Sequence, residues 1–179
     1  VKEITAPFGM VLNDEIHSVE LVYAGQNVAV TKTATSFYNE RQRVEIDLTK
    51  SLETDEAYGV GNNGEIFDVT FGLYAQKDIT AADGTVIPAD GLIEIISFDE
   101  NGYGKVATDL PFGSYYVREI STNSAYIISD QKYPVTFEYQ GQDTATVHIT
   151  VNDGEAMENQ LIYGSVSGKK SDEDGKALG

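Results

Sequence analysis

From Val44 to Lys50 the chain alternates apolar and polar side chains without a break, and the apolar series ends on a lysine. Alternation with period two marks a half-buried β-strand, because successive side chains leave a strand on opposite faces. Val44, Ile46, Leu48 and Lys50 therefore share one face, and Glu45, Asp47 and Thr49 share the other. With the apolar face turned to the core, the Lys50 amine enters surroundings where its charge is costly unless it is neutralised or paired. A second stretch, Tyr115 to Ile120, does the same with the opposite sign: Tyr115, Val117 and Glu119 lie in phase, with Arg118 on the other side. The pattern thus directs one amine and one carboxyl inward.

The rest of the chain bounds the class. At 179 residues it can bury a real core as one large or two small domains. Tyr, Val, Ile and Thr are plentiful, glycines supply turns, and no long segment has helical periodicity, so an all-β protein is expected. A net charge of -17, from 12 basic and 29 acidic residues, opposes binding to nucleic acid or anionic lipid. The absence of cysteine excludes disulfides, thiolate metal sites and a cysteine nucleophile. No apolar run approaches the length of a membrane span, and Val1-Lys2-Glu3 does not begin a signal peptide. Starting without Met inside a strand-like pattern, the chain reads as an excised piece of a longer protein.

An internal repeat organises the sequence. Val1-Lys2-Glu3-Ile4-Thr5 matches Val117-Arg118-Glu119-Ile120-Ser121. Each copy continues through a turn to an apolar pair, Val11-Leu12 or Ile127-Ile128. A hairpin-like pair of strands follows, over residues 19–23 and 28–30 about Gly25, and over 135–139 and 145–151 about Gly141. Asn39 and Asn159 come next, each 11 residues before a lysine, Lys50 and Lys170 (50 − 39 and 170 − 159), which gives a period of 120. The expected layout is the C-terminal half of a preceding module over 1–43, a complete module over 44–163, and the first strand of a following module over 164–179. No Gly/Ser or Pro-rich linker separates them, so neighbouring modules should be stiffly coupled. Within the complete module the sequence predicts an acidic loop over 51–64, a strand over 67–74, a polar excursion over 78–91, and a turn at 99–102 before a strand over 104–108. Residues 92–98 fit a strand or a short helix.

Lys50 with its acidic loop, Phe71-Gly72-Leu73-Tyr74, Asp99-Glu100-Asn101-Gly102-Tyr103-Gly104, Leu110-Pro111-Phe112-Gly113-Ser114-Tyr115-Tyr116-Val117-Arg118-Glu119 and Asn159 closely resemble the Cna protein B-type (SpaA-like, prealbumin-like) domain of Gram-positive adhesins and pilins. Lys170 and the residues after it resemble the family's first strand and turn. Val1 to Pro7 resembles its glutamate strand and turn, whereas Ser121-Thr122-Asn123-Ser124 lacks the proline found there. The resemblance implies tandem immunoglobulin-like or prealbumin-like β-sandwiches of a cell-wall-anchored surface stalk. It also implies a self-formed isopeptide bond between Lys50 and Asn159, promoted by Glu119. Glu3, Asn39 and Lys170 would be the corresponding residues of the partial modules, and no cofactor or metal is called for. The partial ends have two readings: truncation, or strand exchange in which Lys170 of one copy enters the 1–43 segment of another.

Other functional signals are weaker. His17 and His148 are the two histidines; His148 is out of phase with Val147 and Ile149 and reads as a solvent-facing strand residue in preference to a member of a metal site or Ser-His-Asp triad. Asp172, Asp174 and Gly175 lack the remaining ligands of a calcium loop and read as a turn. Asp55 and Glu56 read as solvated loop charges, with nothing to place them across a cleft. The competing function is a sandwich that binds a host matrix protein or carbohydrate through its tyrosines and the 78–91 excursion. An exposed aromatic platform would favour it, and scattered surface tyrosines would favour the stalk. The expected partners are neighbouring modules of the same polypeptide and, through the parent protein, a host surface ligand.

Overall fold

The computed structural model describes residues 1–81, 83–171, 173 and 174. The alternating run forms β1 (Arg43–Leu52), the longest strand. Along β1, parallel pairing to β9 (Thr146–Thr150) gives way to parallel pairing with β10 (Met157–Asn159), while β6 (Tyr103–Lys105) runs antiparallel on its other edge. A second, antiparallel sheet has the order β5 (Leu92–Ser97), β2 (Thr70–Ala75), β7 (Gly113–Ser121), β8 (Tyr133–Phe137). Residues 92–97 are thus strand, which settles the open alternative. The strand expected from residue 67 starts at Thr70, because Glu65–Asp68 first makes a single 3-10 turn.

Ile46 and Leu48 of β1 and Met157 of β10 pack against Phe71 and Leu73 of β2, Ile96 of β5, Tyr115 and Val117 of β7, and Val135 and Phe137 of β8. Each of these comes from the inward half of an alternating strand, so burying the two inner faces on each other produces an all-β sandwich. The polar excursion over 78–91 folds into a small hairpin, β3 (Ile79–Thr80) and β4 (Val86–Ile87). At its turn the Thr85 N–H donates to Asp83 Oδ1 at 2.9 Å.

Residues 1–42 depart from expectation. No strand forms over 19–23 or 28–30, although the Gly25 turn does, with Val28 N–H donating to Gly25 O at 3.2 Å. Val19 and Leu21 are 42% and 69% exposed, whereas Val135 and Phe137, at the matching positions of the complete sandwich, are 2% and 0% exposed. Alternation specifies which face a strand would bury, but it holds a strand only where a second sheet covers that face. Residues 164–170 are likewise outside any strand, and Lys170 is exposed. Asp172, Gly175 and the rest of 175–179 lie outside the described residues.

Residues 6–12 and 41–43 are nevertheless fastened to one end of the sandwich. The Phe8 ring meets Tyr139 edge-on at 4.8 Å, Arg41 pairs with Asp109 and donates to Leu110 O at 2.7 Å, and Leu12 N–H donates to Gln142 O at 2.8 Å.

Candidate functional site

Among the described residues, four polar or charged side chains are buried: Gln42, Lys50, Glu119 and Asn159. Three of them are the trio singled out by phase and spacing. Lys50 continues the inward face of β1, Glu119 that of β7, and Asn159 ends β10 on the same face as Met157. In the β1–β10 pairing Lys50 lies opposite Met157 and Leu52 opposite Asn159, so the amine and the carboxamide are diagonal neighbours on one face, within reach of a long side chain.

Glu119 joins the two sheets. Its Oε1 accepts from Asn159 Nδ2 at 2.8 Å and its Oε2 from the Ser129 N–H at 2.6 Å. Asn159 Nδ2 also donates to Thr122 Oγ1 at 3.0 Å. Lys50 Nζ donates to Ser51 O at 2.6 Å and to Met157 O at 2.7 Å. Burial lowers the Lys50 pKa from 10.5 to about 8, against the smaller opposing pull of the Glu119 and Glu158 charges. Roughly a tenth of the amine is therefore unprotonated at pH 7, far more than for a lysine in water, and an unprotonated amine is a nucleophile.

The same local arrangement occurs in residues 1–42. Glu3 Oε2 accepts from Asn39 Nδ2 at 2.6 Å and from the Asn13 N–H at 2.8 Å, and Asn13 follows Glu3 by the same ten residues that separate Ser129 from Glu119. The bridge between Met10 and Arg41 matches that between Tyr126 and Leu161. Val11 N–H to Glu40 O, at 2.8 Å, matches Ile127 N–H to Gln160 O, at 2.9 Å. These hydrogen bonds within residues 3–41 match those within residues 119–161. Glu3 and Asn39 are 36 residues apart and Glu119 and Asn159 are 40 apart, so the pattern tolerates a difference in the length of the intervening segment. Lys50 lies beside the second arrangement, its amine bonded to Ser51 O and Met157 O and not to Glu119 or Asn159, and no lysine hydrogen-bonds to Glu3 or Asn39 among the described residues.

Sequence reasoning did not find Thr122, the Ser129 N–H or Gln42. Only Gln42 left a signal, two positions before Val44 and in phase with the inward face. His148 is exposed as expected and lies 3.3 Å from Glu45. The tyrosines form no exposed platform among the described residues. Tyr74 and Tyr116 stack at 5.1 Å with Lys132 over the Tyr116 ring, while Tyr23, Tyr38, Tyr58 and Tyr163 are exposed singly.

Two layered sheets around a buried amine, carboxyl and carboxamide define a prealbumin-like β-sandwich. The model of the SpaA prealbumin-like fold domain matches residues 56–155, more than half of the chain, and the chain belongs to that family. The matched residues include Glu119, while Lys50 and Asn159 lie just outside them. Among solved structures the chain is similar to the Bacillus anthracis TIE protein, at 20% identity and a TM-score of 0.52, over 99% of this chain and 30% of that one. It thus spans under a third of that protein's length. It also matches GBS52, the minor pilin of Streptococcus agalactiae, at 22% identity and a TM-score of 0.43 over 74% of this chain and 51% of that one. A third match is BcpA, the major pilin subunit of Bacillus cereus, at 20% identity and a TM-score of 0.35, over 66% and 29%. No curated protein matches the chain.

Proposed function

We propose that this chain is a structural module from the stalk of a Gram-positive surface protein, a pilin or an adhesin, and that it stabilises itself by an isopeptide bond between Lys50 and Asn159. The observation that carries the reading is the burial of one amine, one carboxyl and one carboxamide, from three strands of two sheets, in a core with only one other buried polar side chain among the described residues. Ionisable groups in such a core are costly to bury even when hydrogen-bonded, and a reaction that removes the amine's charge relieves that cost.

The chemistry closes without a co-reactant. The nucleophile is the unprotonated Lys50 amine, favoured by the burial that lowers its pKa to about 8. Lys50 Nζ attacks Asn159 Cγ, and Glu119, which already accepts from Asn159 Nδ2 at 2.8 Å, takes the proton released by the attacking nitrogen and passes it to the departing one. The Cγ–Nδ2 bond breaks, a Cγ–Nζ bond replaces it, and one ammonia leaves. Each chain reacts once, so this is self-processing without turnover. Glu3 and Asn39 are read as the corresponding pair of a preceding module and Lys170 as the lysine of a following one, with 44–163 as the complete module between them. The neighbouring modules are the proposed partners, and the cell surface is the proposed location. The scattered tyrosines support this reading over a ligand-binding sandwich.

Intact mass tests it directly. The purified chain should weigh one ammonia less than its sequence, and Lys50→Ala should restore the calculated mass of its own sequence. A full-mass wild-type chain would remove the proposal.

A pH titration gives an independent check. In Asn159→Ala the amine at position 50 persists, with a folded pKa of about 8 against 10.5 unfolded. Between those values the unfolded chain holds the extra proton, so stability should rise with pH through the window, by on the order of 3 kcal/mol, and be lost again as pH falls to 8. The wild-type chain, with an amide in place of the amine, should lack this rise when urea midpoints are compared at pH 7.5 and 10.5.

A further inference from the structure

Gln42 is the buried polar residue that the chemistry above does not use. It is fully buried immediately before β1, and its parity puts it on the same inward face as Ile46, Leu48 and Lys50. Its carboxamide is spent on a single turn, the one joining β8 to β9. Nε2 donates to Gly141 O at 3.0 Å and to Thr144 O at 2.6 Å, and Oε1 accepts from the Gln140 N–H at 2.9 Å.

Apolar alternation cannot fix the register of β1 by itself. A slip of one residue turns every inward side chain outward and is strongly excluded. A slip of two residues keeps the same side chains facing inward and still sets two of Val44, Ile46 and Leu48 opposite two of Val147, Ile149 and Val151, so apolar pairing opposes it only weakly. That same slip carries Lys50 along the strand by about 6.6 Å and off its diagonal to Asn159. Gln42 distinguishes the two registers, because only the observed one gives its carboxamide two acceptors and a donor. Any other leaves these groups buried and unpaired. A lone polar residue in an apolar seam sets register in this way in coiled coils.

We infer that Gln42 is a positioning residue for the cross-link: its carboxamide pins β1 against β9 and thereby sets the Lys50 amine across from the Asn159 carboxamide. The inference rests on the isopeptide reading above, but its test separates the two. The full chain and Gln42→Met, which keeps the side-chain volume and loses the hydrogen bonds, are made by cell-free synthesis and sampled over time by intact mass. In parallel, Glu45→Cys is combined with His148→Cys, its partner in the observed register, or with Thr146→Cys or Thr150→Cys, which report slips of two.

Loss of ammonia should be at least about tenfold slower in Gln42→Met, since a misplaced nucleophile loses rate steeply. The slipped cysteine pairs should form disulfides only in that background. Bond formation at the wild-type rate would overturn the inference and leave the isopeptide reading intact. Slower formation with cross-linking confined to the 45–148 pair would also overturn it, reducing Gln42 to a contributor to stability. If the wild-type chain loses no ammonia, the isopeptide reading fails, and cross-linking confined to the observed register in Gln42→Met would then overturn the register claim as well.

Discussion

Glu119→Gln should leave the chain at the full mass of its own sequence and lower its unfolding free energy by about 5 to 8 kcal/mol, of which about 4 to 5 kcal/mol is the chain-entropy value for a cross-link closing roughly a hundred residues. The substitution is nearly isosteric, and the amide retains an oxygen for the Ser129 N–H, now bonded to Glu119 at 2.6 Å. Its direct cost should therefore be one or two hydrogen bonds, about 1 to 3 kcal/mol. A double-mutant cycle separates this from the cross-link. In a Lys50→Met background no bond forms, so Glu119→Gln there should cost only its direct share. The excess seen in the Lys50 background, read from urea unfolding, measures the cross-link. Equal costs in the two backgrounds would mean that Glu119 serves packing alone.

The mechanical meaning follows from connectivity. Lys50 lies near the end of the first strand of the sandwich and Asn159 at the end of the last, and β1 and β10 run parallel. In a stalk, tension enters near Arg43 and leaves near Leu161. A covalent tie between positions 50 and 159 places most of the sandwich inside a closed loop, so the load passes through β1 and the bond while the sheets between are spared. Hydrogen bonds between β1 and β10 alone would have to carry that load in its absence.

How far the sequence disclosed this arrangement depends on what each signal encodes. Period-two phase reports the face of a strand, and it correctly turned Lys50 and Glu119 inward, where they are 2% and 4% exposed. Asn159 has no phase signal in its short strand and was reached only through the spacing of the repeat. The same alternation over residues 19–30 suggested strands that do not form, because phase carries no information about whether a covering sheet exists. Tyr116 is the converse case. It lies out of phase with Tyr115 and Val117 yet is 5% exposed, since it stacks on Tyr74 under the Lys132 amine. Thr122 and the Ser129 N–H come from loops whose approach to Asn159 and Glu119 is fixed by tertiary packing, which no local pattern records. Gln42 was legible in principle, for parity already placed it in line, but a glutamine beside two arginines reads as surface until its three partners are seen.

Gly102→Ala should be the most damaging of the small substitutions near the site, by about 3 kcal/mol or more, and should leave a fraction of chains unbonded. Gly102 closes the turn that returns the chain into β6, with φ of 75°. Its carbonyl accepts the Lys50 N–H at 2.7 Å. A Cβ there would stand 2.0 Å from the Lys50 carbonyl oxygen. The left-handed backbone alone costs a side chain on the order of 1 to 2 kcal/mol. The clash with backbone, which no rotamer can relieve, adds to that by forcing β6 away from β1 at the residue that must be held still. Gly84→Ala is the control: φ there is a similar 85°, but the added methyl meets nothing within 4 Å, so only the conformational cost of about 1 to 2 kcal/mol remains. Urea midpoints should rank the chains as wild type, Gly84→Ala and Gly102→Ala, from most to least stable. In hydrogen exchange the Lys50 amide should lose protection only in Gly102→Ala. Equal losses in the two variants would show that the close approach of β6 to the lysine does not hold the site, and that the turn conformation alone accounts for the glycine.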